Sequence, residues 1–233
     1  MVRLCSPSIP SGVEGLKGKF RLIYQKLYSY FGHQHWWPAN TPFEVIVGAI
    51  LAQNTSWLNV ERAIDNLKKN ELLEPPKLYR LSHKRLASTI KPAGYYNIKA
   101  KRLKNFLNFL FKSYKGSLRK MSLQDTHQLR RQLLSVNGIG PESADSILLY
   151  CFGKPVFVVD AYTIRILLRH HLIKEGTSYD KIQNLFMQNL KKDVKLFNEY
   201  HALLVKLGKD YCLKSKPKCH ICPLKNFRKR LYA

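Results

Sequence analysis

Leu134-Ser135-Val136-Asn137-Gly138-Ile139-Gly140-Pro141-Glu142-Ser143-Ala144-Asp145 is the stretch that decides the fold. It reads as the end of an apolar helix, a hairpin whose two glycines bracket one isoleucine, and the start of a new helix. Glycine lets a backbone turn tightly and approach a ligand with no side chain in the way. The helix that follows opens with N–H groups that lack intrahelical partners and suit an anion. Such an element can hold a phosphate through main-chain donors, without preference for sequence. A Gly-x-Gly before a helix also serves as a plain turn or cap, so the pair alone is weak. Its weight comes from a strongly basic chain and from Asp160, placed directly after the apolar run Val156-Phe157-Val158-Val159.

The 233 residues can bury one large core or two small lobes. Lys and Arg number 40 against 15 Asp and Glu, a formal net charge of +25. Such an excess repels itself, so a polyanion is the economical partner; an ordinary, very basic protein is the bland alternative. No stretch reaches the roughly 18 to 20 apolar residues of a spanning helix. Residues 1–14 hold no apolar signal core, and the expectation is a cytoplasmic protein with no membrane partner. Cys5 and Cys151 stand alone, while Cys212, Cys219 and Cys222 crowd the C-terminus. In a reducing compartment, clustered cysteines suggest metal before disulfide.

Apolar spacing predicts an all-α chain. Phe20, Ile23, Leu27 and Phe31 mark a helix over 14–31. A loop with Trp36 and Trp37 follows. Thr41-Pro42 then opens a helix that is apolar nearly all round to Leu51, hence central and buried. Gln53-Asn54-Thr55-Ser56 interrupts before a helix over 57–67. Further helices are predicted at 76–90, 97–114, 122–134 with Ser122 as its cap, 143–152, 161–172, 178–190 and 194–211. Residues 156–159, the β-branched run, are too short for a sheet and read as an extended segment.

Trp36-Trp37-Pro38, Gln53-Asn54-Thr55, Gly94-Tyr95-Tyr96-Asn97 with Lys99-Ala100, Gly138-Ile139-Gly140, Val158-Val159-Asp160 and the terminal cysteines occur in one order. With these motifs, the chain from about residue 20 onward resembles the endonuclease III (helix-hairpin-helix) superfamily of DNA glycosylases. The Trp-Trp-Pro and Tyr-Tyr-Asn stretches are most similar to its 3-methyladenine DNA glycosylase branch. The resemblance implies two helical lobes with an active-site cleft between them. One is a six-helix lobe, 39–153, carrying the hairpin. The other combines 1–38 with 154–233 and carries the Cys-rich loop. It implies a catalytic role for Asp160, whose carboxylate would stabilise positive charge on the sugar or orient water as an N-glycosidic bond breaks. As residues alone, Asp160 reads equally as a helix N-cap.

Bifunctional members of the family carry a lysine just after the hairpin, an amine nucleophile that forms a Schiff base. Glu142 stands there instead and cannot form an imine, which implies a monofunctional enzyme; as a first-turn acid it also suits the helix dipole. Trp36, Pro38 and Trp57 are candidates for the base pocket, since cationic alkylated purines stack well on electron-rich rings; core packing is the alternative. Gln53 and Tyr95 match family positions that enter the duplex. Lys99, Lys101, Arg102 and Lys104 read as phosphate contacts or as a solvated face. Cys212, Cys219 and Cys222 match three ligands of the family's [4Fe-4S] cluster, but the fourth position is Arg228, which cannot serve: either a different ligand, with Cys5 a candidate, completes the cluster, or the cluster is labile or lost, and zinc with His220 is the alternative.

The resemblance thus implies a base-excision repair glycosylase, acting as a monomer on damaged bases in double-stranded DNA and hydrolysing the N-glycosidic bond of alkylated purines. Two rivals stand beside it: an endonuclease III-like glycosylase with lyase activity for oxidised pyrimidines or mismatched bases, and a non-catalytic helix-hairpin-helix DNA-binding module.

Overall fold

The computed structural model describes residues 15–227; Cys5 and Arg228 lie outside them. Among the described residues there are twelve α-helices and no strand. They form two compact units.

The larger unit comprises Gln34–Ala161 and Lys192–Ala202. Its centre is α2 (Pro42–Leu51), and every residue from Phe43 to Leu51 is buried. Pro42 takes the first-turn place where its missing N–H costs nothing, and the Thr41 hydroxyl accepts from Glu44 N at 3.1 Å. Glu44 is the polar exception on this helix. It is buried, and Lys68 Nζ meets its carboxylate at 2.6 Å, as a charge removed from water requires.

Around α2 lie α3 (Trp57–Lys69), α4 (Pro75–Arg80), α5 (His83–Thr89), α6 (Tyr96–Tyr114), α7 (Leu118–Ser122), α8 (Thr126–Leu134) and α9 (Pro141–Ser146). Leu103, Phe106, Leu107 and Leu110 of α6 face Ile46, Ile50 and Leu67 in one core. Each such side chain contributes about 1.5–3 kcal/mol by leaving water. The cap expected at Ser122 is instead Asp125, whose Oδ1 accepts from His127 N and Gln128 N at 2.9 and 3.0 Å. Ser122 ends α7. α9 starts at Pro141 rather than Ser143 and continues as a π-helical turn, Ile147–Cys151. Residues 156–159 form neither helix nor strand, as expected of a run too short for a sheet, and they are buried, with Phe157 packed on Phe197 and Tyr200.

These contacts explain why the unit exceeds the 39–153 lobe read from the sequence. Trp36 and Trp37 pack on Trp57, and residues 156–159 pack on the first turns of α12 (Val194–Asp210). Asp160 therefore belongs with the hairpin.

The described residues of the smaller unit are 15–33, Tyr162–Lys191 and 203–227. Phe20, Ile23 and Leu27 of α1 (Leu16–Phe31) are buried, with Phe20 edge-on to Phe186 of α11 (Tyr179–Asn189) at 4.6 Å. Arg165 and Arg169 of α10 (Ala161–Arg169) donate to the carbonyls of Gly208, Cys212, Leu213 and Lys214, tying off the end of α12 and the start of the cysteine loop. No helix of the described residues is long and apolar enough to cross a membrane.

Candidate active site

The hairpin is braced from three sides, all within the larger unit. Arg130 of α8 grips fully buried Asp145 of α9 through two bonds, 2.8 and 3.1 Å. Asn105 Nδ2 donates to Asn137 O at 2.9 Å. Gln53 Nε2 donates to Gly138 O at 3.0 Å and to Ser143 Oγ at 2.9 Å, while Arg102 donates to Gln53 Oε1. Gln53 thus stands as a brace rather than projecting as an inserting side chain. Gly138 has φ +96, and a Cβ there would overlap Arg102. Gly140 differs: its φ is −91 and a Cβ would meet nothing within 4 Å. The fold needs glycine only at the first position.

The basic residues of α6 correct the sequence reading. Lys99 is 1% exposed and donates to Ala93 O at 2.6 Å. Burial, with Arg102 second, lowers its ammonium to about 8. Its ammonium is turned onto a backbone carbonyl and sealed from water, and so is not presented to a phosphate. Lys104 donates to the carbonyls of Leu78 and Tyr79, and Arg102 is held by Gln53; Lys101 remains exposed. Tyr95 is 69% exposed, in the left-handed region at φ 44.

Trp36, Trp37 and Trp57 form one aromatic group, with ring centroids 4.9 to 5.8 Å apart. Trp57 is oriented by its Nε1–H bond to Glu61 at 2.7 Å, and Pro38 is exposed beside the group. Sequence reasoning missed three members of the site, Trp37, Tyr150 and His201. Trp37 and Tyr150 pack at 5.0 Å and, with Trp36, Asn40, Thr41 and Asn198, line a recess of about 310 Å³. Asp160 is not among its walls.

Asp160 is 8% exposed. Its Oδ2 stands 3.6 Å from His201 Nε2, and His201 Nδ1 lies 2.6 Å from Tyr150 Oη. Burial lowers the His201 pKa more than the Asp160 charge raises it, so the imidazole is neutral at pH 7. Burial first, and Asp160 second, hold the Tyr150 phenol protonated well above its usual range. Burial likewise pushes the Cys151 thiol up to about 12, which leaves no thiolate nucleophile there.

Glu142 stands at the hairpin's exit. Desolvation, then the negative charge of Asp160, push its carboxyl up to about 7. Its side chain is exposed, but much of the space around it is protein, which disfavours the charged carboxylate. The native state then holds a proton that the unfolded chain has released, so stability falls as pH rises from about 4.5 to 7. Glu142→Gln should raise the melting temperature at pH 7.5 and leave it unchanged at pH 4. An equal shift at both pH values would contradict this.

The cysteine loop belongs to the smaller unit. Cys212, Cys219 and Cys222 line a cavity of about 210 Å³. Arg169 Nη1 donates to Cys212 Sγ at 3.3 Å and Leu224 N to Cys222 Sγ at 3.4 Å, as suits metal-bound sulfur. Among the described residues three of the four thiolates of a [4Fe-4S] cluster are present, and no three ligand groups converge as a metal site. Lys214, Lys216, Lys218 and Lys225 make the loop a basic, exposed surface.

Comparison with known proteins agrees with this arrangement. Residues 47–192 match the HhH-GPD superfamily base excision DNA repair protein model. MJ1434 of Methanocaldococcus jannaschii, which carries the name of a DNA repair glycosylase, is 51% identical over 91% of this chain and 97% of its own. The structure of Helicobacter pylori 3-methyladenine DNA glycosylase (MagIII) bound to 1,N6-ethenoadenine is similar with a TM-score of 0.72 and 30% identity, over 82% of this chain and 97% of that one. An endonuclease III–DNA complex shares the fold at a TM-score of 0.79 and 21% identity, over 93% and 99% of the two chains. A braced Gly-Ile-Gly hairpin and a buried aspartate in one unit, carried by an all-α chain with these relatives, place the protein in the HhH-GPD superfamily of base excision DNA repair proteins, as a DNA glycosylase.

Proposed function

We propose that the protein is a monofunctional glycosylase that hydrolyses the N-glycosidic bond of alkylated purines in duplex DNA. The observation that carries this reading is the pairing of Asp160, buried and backed by a neutral histidine, with a carboxyl at 142, where an amine nucleophile would have to stand. An alkylated purine is a good leaving group, so the protein's task is to hold the base and stabilise charge on the sugar. The group of Trp36, Trp37 and Trp57 offers electron-rich faces to a cationic ring. The similarity to a 3-methyladenine glycosylase, solved with an ethenoadenine, supports the same substrate class. Tyr95, exposed at the start of α6, suits a wedge that offsets the few kcal/mol of unstacking. Gln53 can fill the vacated space only by leaving Gly138 and Ser143.

Duplexes bearing a single 3-methyladenine, 1,N6-ethenoadenine, oxidised pyrimidine or mismatch test the reading, each incubated with protein and then treated with or without hot alkali. Strand breaks at the alkylated purines, present only after alkali, are expected. Breaks without alkali would establish a lyase, and binding with no break at any lesion would establish a non-catalytic module.

A further inference from the structure

His201 of α12 is 5% exposed, and its Nδ1 lies 2.6 Å from the Tyr150 hydroxyl. The Tyr150 hydroxyl keeps its proton and can donate at 2.6 Å, an arrangement in which Nδ1 accepts. The one proton of the neutral ring is then on Nε2, the nitrogen that faces Asp160 Oδ2 at 3.6 Å and has no hydrogen-bond partner among the described residues. We propose that His201 is a positioning residue for glycosidic hydrolysis, an Nε2–H donor fixed by Tyr150 that orients the Asp160 carboxylate toward the sugar. The proposal rests on Asp160 being the reactive carboxylate.

Two features favour it over simple core filling. At 3.6 Å the pair is just beyond hydrogen-bond length, and catalytic hydrogen bonds are often long without substrate and tighten when it binds. A neutral donor also fixes the carboxylate without cancelling its charge. Lysine or arginine in its place would offset the negative charge meant for the developing cation. Tyr150 packs against Trp37, so one residue touches both the aromatic wall and the imidazole.

Four variants and nitrogen-15 spectra test this. The amide of His201→Gln falls where Nε2 stood and keeps a donor for Asp160. In His201→Asn it falls where Nδ1 stood, so it can accept from Tyr150 but not reach Asp160. Single-turnover excision from a 3-methyladenine duplex should fall about ten- to a hundredfold in His201→Asn, with at least tenfold recovered in His201→Gln. Affinity for an abasic-site duplex should be unchanged in both. Nitrogen-15 shifts should show His201 as the Nε2–H tautomer in the parent, and that preference should be lost in Tyr150→Phe. Equal losses in the two His201 variants, no loss in either, or an Nδ1–H or imidazolium ring would overturn the proposal. If Asp160→Asn is slow while His201→Asn is not, only this proposal fails. Full activity in Asp160→Asn would remove the reading beneath it as well.

Discussion

Asp160→Asn should release damaged purines about two to four orders of magnitude more slowly than the parent, with the fold and the affinity for duplex DNA preserved. The amide matches the carboxylate in size, so the packing of an 8% exposed side chain is kept. What disappears is a negative charge held in poorly solvated surroundings, where it acts on the sugar more strongly than it would in water. His201 can still meet the amide oxygen with its Nε2–H, and orientation alone should not rescue the rate. Binding should hardly change, because the hairpin amides and the basic surface grip the backbone rather than the sugar. Single-turnover kinetics with circular dichroism on the same samples would check this. A variant as fast as the parent would remove Asp160 from the chemistry.

Gly138→Ala and Gly140→Ala should separate what the fold needs from what the ligand needs. At Gly138 a Cβ forces an L-residue into φ +96 and drives Arg102 from its place. Arg102 then loses Gln53, which in turn holds Gly138 O and Ser143 Oγ. A cost of about 1–3 kcal/mol is expected, seen as a lower melting temperature, together with weaker DNA binding. At Gly140 a Cβ meets nothing, so the melting temperature should stay put. Its N–H has no acceptor among the described residues and suits a phosphate; a Cβ would keep that phosphate away, weakening binding roughly tenfold. Unchanged affinity in Gly140→Ala would mean that no backbone phosphate approaches there.

Much of this architecture was legible because its signals are local. The Thr41-Pro42 start, the buried run to Leu51, the amphipathic face of α1 and the non-helical segment before Asp160 all appear where spacing and caps put them. Ser122 and Asp125 are both cap residues three apart, and nothing local decides between them. Lys99 had a readable signal: it stands four residues before Leu103 and seven before Phe106, on the buried face, although its basic neighbours suggest a solvated one. Tyr150 and His201 had none. They meet across 51 residues, and only the packing of the π-helical turn and α12 brings them together behind Asp160. Gln53 was legible as a motif but not as a brace, since its partners are 85 and 90 residues away.

In the proposed reaction water, rather than an amine of the protein, attacks the sugar. Borohydride reduces an imine between protein and DNA to a permanent cross-link, so adding it during excision from a 3-methyladenine duplex is the most direct measurement. With Glu142 after the hairpin, base release should proceed and no cross-linked species should form. A borohydride-trapped protein–DNA adduct with the parent protein would contradict the account.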